Sequence, residues 1–126
     1  MRFMMFMILP VDHHSETGGP WDLEMMGEMT KFNQKLIDSG ALISLDGLHP
    51  TSKAARIVNA RGISTVTDGP FTEAKEVIGG YWMINASSRE EAIEWAKQVP
   101  DGEGVVEIRQ VFEMSDFPAE LQEAAR

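Results

Sequence analysis

The chain contains no cysteine. That absence excludes disulfides, thiolate nucleophiles, iron–sulfur clusters and thiolate zinc sites. Positive charge is scarce too: 11 Lys and Arg stand against 20 Asp and Glu, for a formal net charge of −9. Such a chain is repelled by phosphate backbones and anionic lipid. No basic stripe with interleaved aromatics offsets the deficit, so nucleic acid is not an expected partner. No stretch approaches the ~18 apolar residues of a membrane span, so no membrane partner is expected and a cytoplasmic location is. A low-complexity linker and a repeat of solenoid period are absent as well.

What is present fits one domain over residues 1–126, with 114–126 as a C-terminal tail. The composition is 43% hydrophobic and 25% charged, which is ordinary for a folded protein. A chain of this size buries roughly two-thirds of its unfolded surface and needs no staple. The opening Met1–Pro10 is apolar but short. It lacks a small-residue cleavage site and runs straight into Asp12, His13 and His14, so it reads as a buried strand over Arg2–Leu9 rather than a signal peptide. Uninterrupted hydrophobicity implies cover on both of its faces.

Asp12–Pro20 is loop chemistry. In Asp22–Ser39, Leu23, Met26, Met29, Phe32 and Leu36 recur on one helical face, with Asp22 at the positive end and Gly40 as the stop. Ala41–Leu48 reads as a strand and His49–Ser52 as a turn. Ala54–Asn59 and Ile63–Thr67 read as a hairpin about Ala60-Arg61-Gly62. Asp68-Gly69-Pro70-Phe71 is turn chemistry: Asp bonding its own downstream backbone, Gly allowing positive φ, Pro fixing direction. Ile78–Asn85 is a strand opened by Gly79-Gly80. Ser88 with Glu91 forms a capping box for a helix whose apolar face is Ala92, Ile93, Ala96 and Val99, ended by Pro100. Asp101–Gly104 is a turn, Val105–Phe112 the last strand, and Ser115–Arg126 a short acidic tail.

The order is βαβ, a hairpin, then βαβ. Two such halves with antiparallel pairing predict an α+β, ferredoxin-like fold. Its two helices cover one sheet face only, and a second copy is the simplest cover for the other, so a homodimer is expected.

The segment Thr67-Asp68-Gly69-Pro70-Phe71-Thr72-Glu73-Ala74-Lys75-Glu76, followed by Gly79-Gly80-Tyr81-Trp82, resembles the signature of the DGPF family within the YCII-related group. Gly47-Leu48-His49-Pro50, Ser88–Trp95 and Glu107-Ile108-Arg109 also agree, so the resemblance spans about residues 1–113. It implies a dimeric α/β-barrel of ferredoxin-like subunits and brings no established activity. A His–Asp pair in a cleft is proposed as enzymatic for YCII proteins. The helix over Asp22–Ser39 holds no histidine, so that histidine has no matching position, whereas Asp68 lies within the motif.

Several residues are candidates for chemistry. Asp68 is a general base or a turn residue. His49, at a strand end, is a proton carrier or a turn anchor. Glu73, Lys75 and Glu76 are a solvated run, with Lys75 able to hold an anion. Glu107 and Arg109 share one face of the last strand, while Val106, Ile108 and Phe112 pack against the helices from the other. The charged pair is an interface ion pair or a ligand site, Arg109 offering a fork for carboxylate or phosphate. Tyr81 and Trp82 alternate, one to the core and one to a cleft. His13, His14 and His49 show no recognised metal spacing, so no metal is assigned. No phosphate loop or nucleotide fingerprint accompanies the glycines, so no cofactor is expected. The functional expectation is a small enzyme acting on a small polar or anionic metabolite in a dimer cleft, with Asp68 and His49 catalytic and Arg109, Glu107, Lys75 and Tyr81 binding. The alternatives are a non-catalytic ligand-binding or regulatory homodimer and a purely structural one.

Overall fold

A computed structural model of the protein describes residues 1–100 and 104–125. The expected turn at Asp101–Gly104 lies largely outside the described residues. Strand β1 runs over Arg2–Pro10, and helix α1 is a short turn at His14–Thr17. The long helix α2 spans Leu23–Ser39, β2 Leu42–Gly47, β3 Ala55–Ala60, β4 Ile63–Asp68 and β5 Glu76–Asn85. Helix α3 covers Arg89–Ala96, β6 Val105–Gln110 and α4 Ala119–Ala124.

The main sheet has the order β2-β5-β1-β6, and every neighbouring pair is antiparallel. With the hairpin set aside, this is the ferredoxin-like order, as the succession of elements predicted. Strands β3 and β4 form a separate two-stranded ribbon.

Alternation along β1 sorts the two faces. Phe3, Met5, Met7 and Leu9 are buried, whereas Met4, Phe6 and Ile8 are half-buried on the other side. The buried row meets Ile84, Trp82 and Val77 of β5 and is closed by Phe32 and Leu36 of α2 and Ala92 of α3. Leu36 and Ile84 are fully buried, and burial of each such side chain contributes about 1.5–3 kcal/mol. The Phe32 ring stands edge-on to Trp82 at 5.7 Å and to Trp95 at 6.4 Å, joining α2, β5 and α3. The Trp82 indole N–H donates to Asn33 Oδ1 at 2.8 Å, which satisfies its polar atom inside this layer.

The helix ends obey the capping rules. Asp22 accepts the Met25 N–H at 3.0 Å, and Gly40 closes α2 in the left-handed conformation. Ser88 caps α3 by accepting the Glu91 N–H at 3.1 Å. The reciprocal half of the expected box shifts by one residue: Glu91 accepts the Ser87 N–H at 2.8 Å as well as its hydroxyl. Those bonds hold its carboxyl below the usual carboxylate range.

The structure corrects several expectations. Asp12–Pro20 is not all loop, since His14–Thr17 forms α1, too short to show a periodicity. Leu23 and Met26 are exposed, and the buried positions of α2 are Phe32 and Leu36, further along the helix. The last strand stops at Gln110, and Phe112 is 71% exposed rather than packed under the helices. Beyond β6 the alternation no longer governs, and Phe112 instead stacks on Phe117 at 5.0 Å. Gly79 is an extra residue in β5: Met7 pairs with Gly80 and Ile8 with Ile78, so the strand bulges there and begins two residues earlier than expected. Arg2 clamps the C-terminal segment through two bonds to Glu113, at 2.7 and 3.1 Å.

Candidate functional site

The Asp-Gly-Pro-Phe segment is built into the body by contacts at each of its neighbours. Gly69 donates its N–H to the Ala54 carbonyl at 2.8 Å. A Cβ on Gly69 would stand 1.9 Å from the Thr51 carbonyl oxygen. Glycine is therefore required by close backbone approach, and φ at Gly69 is not positive as the turn reading supposed. The Gly69–Pro70 peptide is cis. Arg56 of β3 lies 3.7 Å over the Phe71 ring and pairs with Glu73 at 2.9 Å. The Lys75 carbonyl accepts the Val11 N–H at 3.2 Å. Underneath, the Glu16 carboxylate of α1 accepts the Thr51 N–H at 3.1 Å and its hydroxyl. Asp68 itself is exposed and makes no side-chain hydrogen bond or ion pair among the described residues, so the expected local bond is not formed.

Two clefts flank α1. One, about 370 Å³, is lined by His14, Trp21, Leu48 and His49 among others. The other, about 320 Å³, lies between Glu16, Thr51, Phe71 and Thr72. His14 packs against the edge of Trp21 at 5.9 Å and beside His13 at 4.1 Å. The long helix holds no histidine, but α1 begins with one. The signal that could have placed it is the pairing of an exposed Trp21 with His14 across the Gly18-Gly19 turn. Among the described residues no group of three or more His, Asp or Glu side chains is arranged to hold a metal ion.

The second polar centre is on the open face of the sheet, away from the helices. The Tyr81 hydroxyl donates to Asp46 Oδ2 at 2.7 Å. That bond to a carboxylate, with partial desolvation and the adjacent negative charge, raises the Tyr81 pKa against an opposing bond from Ser44. Tyr81 therefore faces outward, and Trp82 goes to the core. In the same row, Phe6 separates Tyr81 from Glu107. Two strand spacings put those backbones about 10 Å apart. Glu107 and Arg109 approach to 3.7 Å, both well exposed. Asp46 was missed in the sequence because a bulge at Ile43 shifts the alternation of β2.

The sequence candidates thus fall into two groups. His49 and Lys75 lie in loops at one end of the sheet, and Asp68 is the last residue of β4, paired with Ala55 at the root of the hairpin. Tyr81, Glu107 and Arg109 lie on its open face. Arg109 sits opposite Met4, whereas Lys75 bonds to Val11 beyond the other end of β1. Six or more residues of strand, about 20 Å, separate them. One chain does not bring Asp68, His49 and Arg109 together.

An antiparallel four-stranded sheet with helices on one face, a projecting hairpin and this anchored loop define a ferredoxin-like α+β domain. The chain belongs to the YCII-related domain family, whose model matches residues 4–115. It is similar to an uncharacterized protein of Rhizobium meliloti (strain 1021), 29% identical over 113 residues that cover 84% of this chain and 90% of that protein. No helix among the described residues is long and apolar enough to cross a membrane.

Proposed function

We propose that the protein acts as a homodimer that holds a small polar or anionic metabolite between two facing sheets. The observation that carries this reading is the open face itself. Met4, Phe6, Ile8, Met83 and Ile78 form an apolar floor there, interrupted by the hydrogen-bonded Tyr81–Asp46 pair and edged by Glu107 and Arg109. An apolar floor with a few converging polar groups is the usual make-up of a ligand cleft. The guanidinium of Arg109 suits a carboxylate or phosphate, and the Tyr81 hydroxyl fixes orientation. Lys75 lies just before β5, at the end of the sheet away from Arg109.

Binding is favoured over turnover because Asp68 and His49, the acid and base of an enzymatic reading, lie at the end of the sheet remote from Arg109. Catalysis within one site then requires groups from both subunits.

The test combines sedimentation velocity at micromolar protein with a thermal-shift screen of small carboxylates and phosphates on wild type, Arg109→Ala and Tyr81→Phe. A dimer stabilised by at least one anion, with the shift lost in Arg109→Ala, is the expected result. A stable monomer, or shifts equal in all three proteins, would overturn the reading. Should a substrate emerge, loss of turnover in Asp68→Ala with the fold intact would mark the enzymatic form.

A further inference from the structure

The β3–β4 hairpin is the part of the molecule its own chain covers least. Every residue of both strands is exposed. Ile57, Val58, Ile63 and Val66 are 55%, 58%, 69% and 63% exposed, and Ile57 pairs directly with Val66. A two-stranded ribbon with apolar residues on both faces is marginal in water by itself. A bare row of this kind marks an interaction surface.

Charge indicates what covers it. Between Asp46 and Asp68 no acidic residue occurs, while Lys53, Arg56 and Arg61 do. This stretch is therefore +3, and the rest of a chain of net charge −9 is −12. Arg56 is spent on Glu73 and Phe71. Lys53 and Arg61 make no ion pair among the described residues. The tip is a two-residue turn, with Arg61 at φ 52° and Gly62 at φ 78°. Asn or Gly is the ordinary choice for the first of these positions. An arginine there is strained, because the left-handed region crowds its Cβ against the following carbonyl.

The open sheet face has the opposite character. Alternation places Asp46, Glu76 and Glu107 on it, against Arg109. Arg2, on the same face, is already engaged by Glu113. Two such faces brought together repel unless cations come from elsewhere. Their exposed apolar residues Ile78 and Val105 also need cover. Each hairpin strand has six residues, so the ribbon reaches about 20 Å from its root.

We infer that the hairpin is an exchanged arm: in the homodimer each chain lays its β3–β4 ribbon on the second copy, and Arg61 at the tip supplies a cation to the acidic sheet face of that copy. This rests on the homodimer reading above and adds a residue from the other chain to its cleft. A polyanionic partner fits the ribbon's charge but not its apolar residues on both faces, whereas the second copy matches both.

The cysteine-free chain permits a direct test. Thr65→Cys carrying a nitroxide is mixed with unmodified ¹⁵N-labelled chains, and amide broadening in the labelled chain is recorded. Sedimentation compares wild type, Arg61→Glu and Ile63→Asp, whose positions are exposed and outside the core. The expected result is broadening near Asp46, Tyr81 and Glu107, with a dimer dissociation constant raised about tenfold or more in both variants. Wild type sedimenting as a monomer would overturn both the homodimer and the arm. A wild-type dimer matched in affinity by both variants, without intersubunit broadening, would overturn the arm alone.

Discussion

Gly69→Ala should cost about 2–4 kcal/mol of stability. The new methyl group would lie 1.9 Å from the Thr51 carbonyl oxygen and 3.0 Å from its carbon. Both are backbone atoms, so no side-chain rotation relieves the overlap, and the two segments must part by more than an ångström. That movement breaks the Gly69 N–H bond to Ala54, now 2.8 Å, worth about 1 kcal/mol net. It also drags Thr51 from the Glu16 carboxylate, a charge-assisted bond worth about 1.5–3 kcal/mol. Lower entropy of the unfolded alanine chain returns about 0.4–1 kcal/mol. For a chain of 126 residues, one kcal/mol corresponds to about 4 °C in Tm, so the melt should fall by roughly 8–15 °C. Urea denaturation followed by tryptophan fluorescence at fixed protein concentration measures the change. Asp68→Ala, next door but exposed, is the control and should lie within about 0.5 kcal/mol of wild type. Equal stability of Gly69→Ala and wild type would refute the docking of this loop on Thr51.

Two further outcomes are expected. Tyr81 is the single tyrosine of the chain, so absorbance at the tyrosinate band titrates it alone. Its midpoint should lie above the usual value of about 10, and Asp46→Asn should bring it down. Because the folded pKa is raised, the linked stability is complete below the unfolded pKa and is lost as pH rises through the folded one; a folded midpoint at or below 10 would contradict the Tyr81–Asp46 bond. Trp82→Phe removes the indole donor to Asn33 and part of a buried ring, and chemical denaturation should show a loss of about 2 kcal/mol, with Asn33 left unpaired in the α2–sheet layer.

The fold was legible largely because its main elements follow simple periods. Strand β1 alternates cleanly, α2 carries Phe32 and Leu36 at helical spacing, and Asp22, Gly40 and Ser88 mark helix ends by capping chemistry. What escaped were the places where a period breaks. The bulges at Ile43 and Gly79 reset alternation in β2 and β5, hiding the outward placement of Asp46 and the early start of β5. Helix α1 is a single turn and leaves no pattern. The candidate site was less legible. Residue type singled out Tyr81, Glu107 and Arg109, yet nothing local to the sequence says that Asp68 and His49 sit at the other end of the sheet. Distance between loops is set by pairing, and pairing is a tertiary property.

The bulged glycine of β5 has a consequence of phase. Side chains of a strand look alternately up and down, so one surplus residue inverts the sense of all that precedes it. Upstream of Gly79, odd-numbered Val77 dives into the interior. Downstream it is even-numbered Trp82 and Ile84 that do so. Both halves of β5 still pair with β1, and each keeps its own inward row. A chain with that glycine excised would run along β1 without a break, Val77 and Trp82 falling on one face by plain alternation; the surplus residue is what lets odd and even positions share the interior.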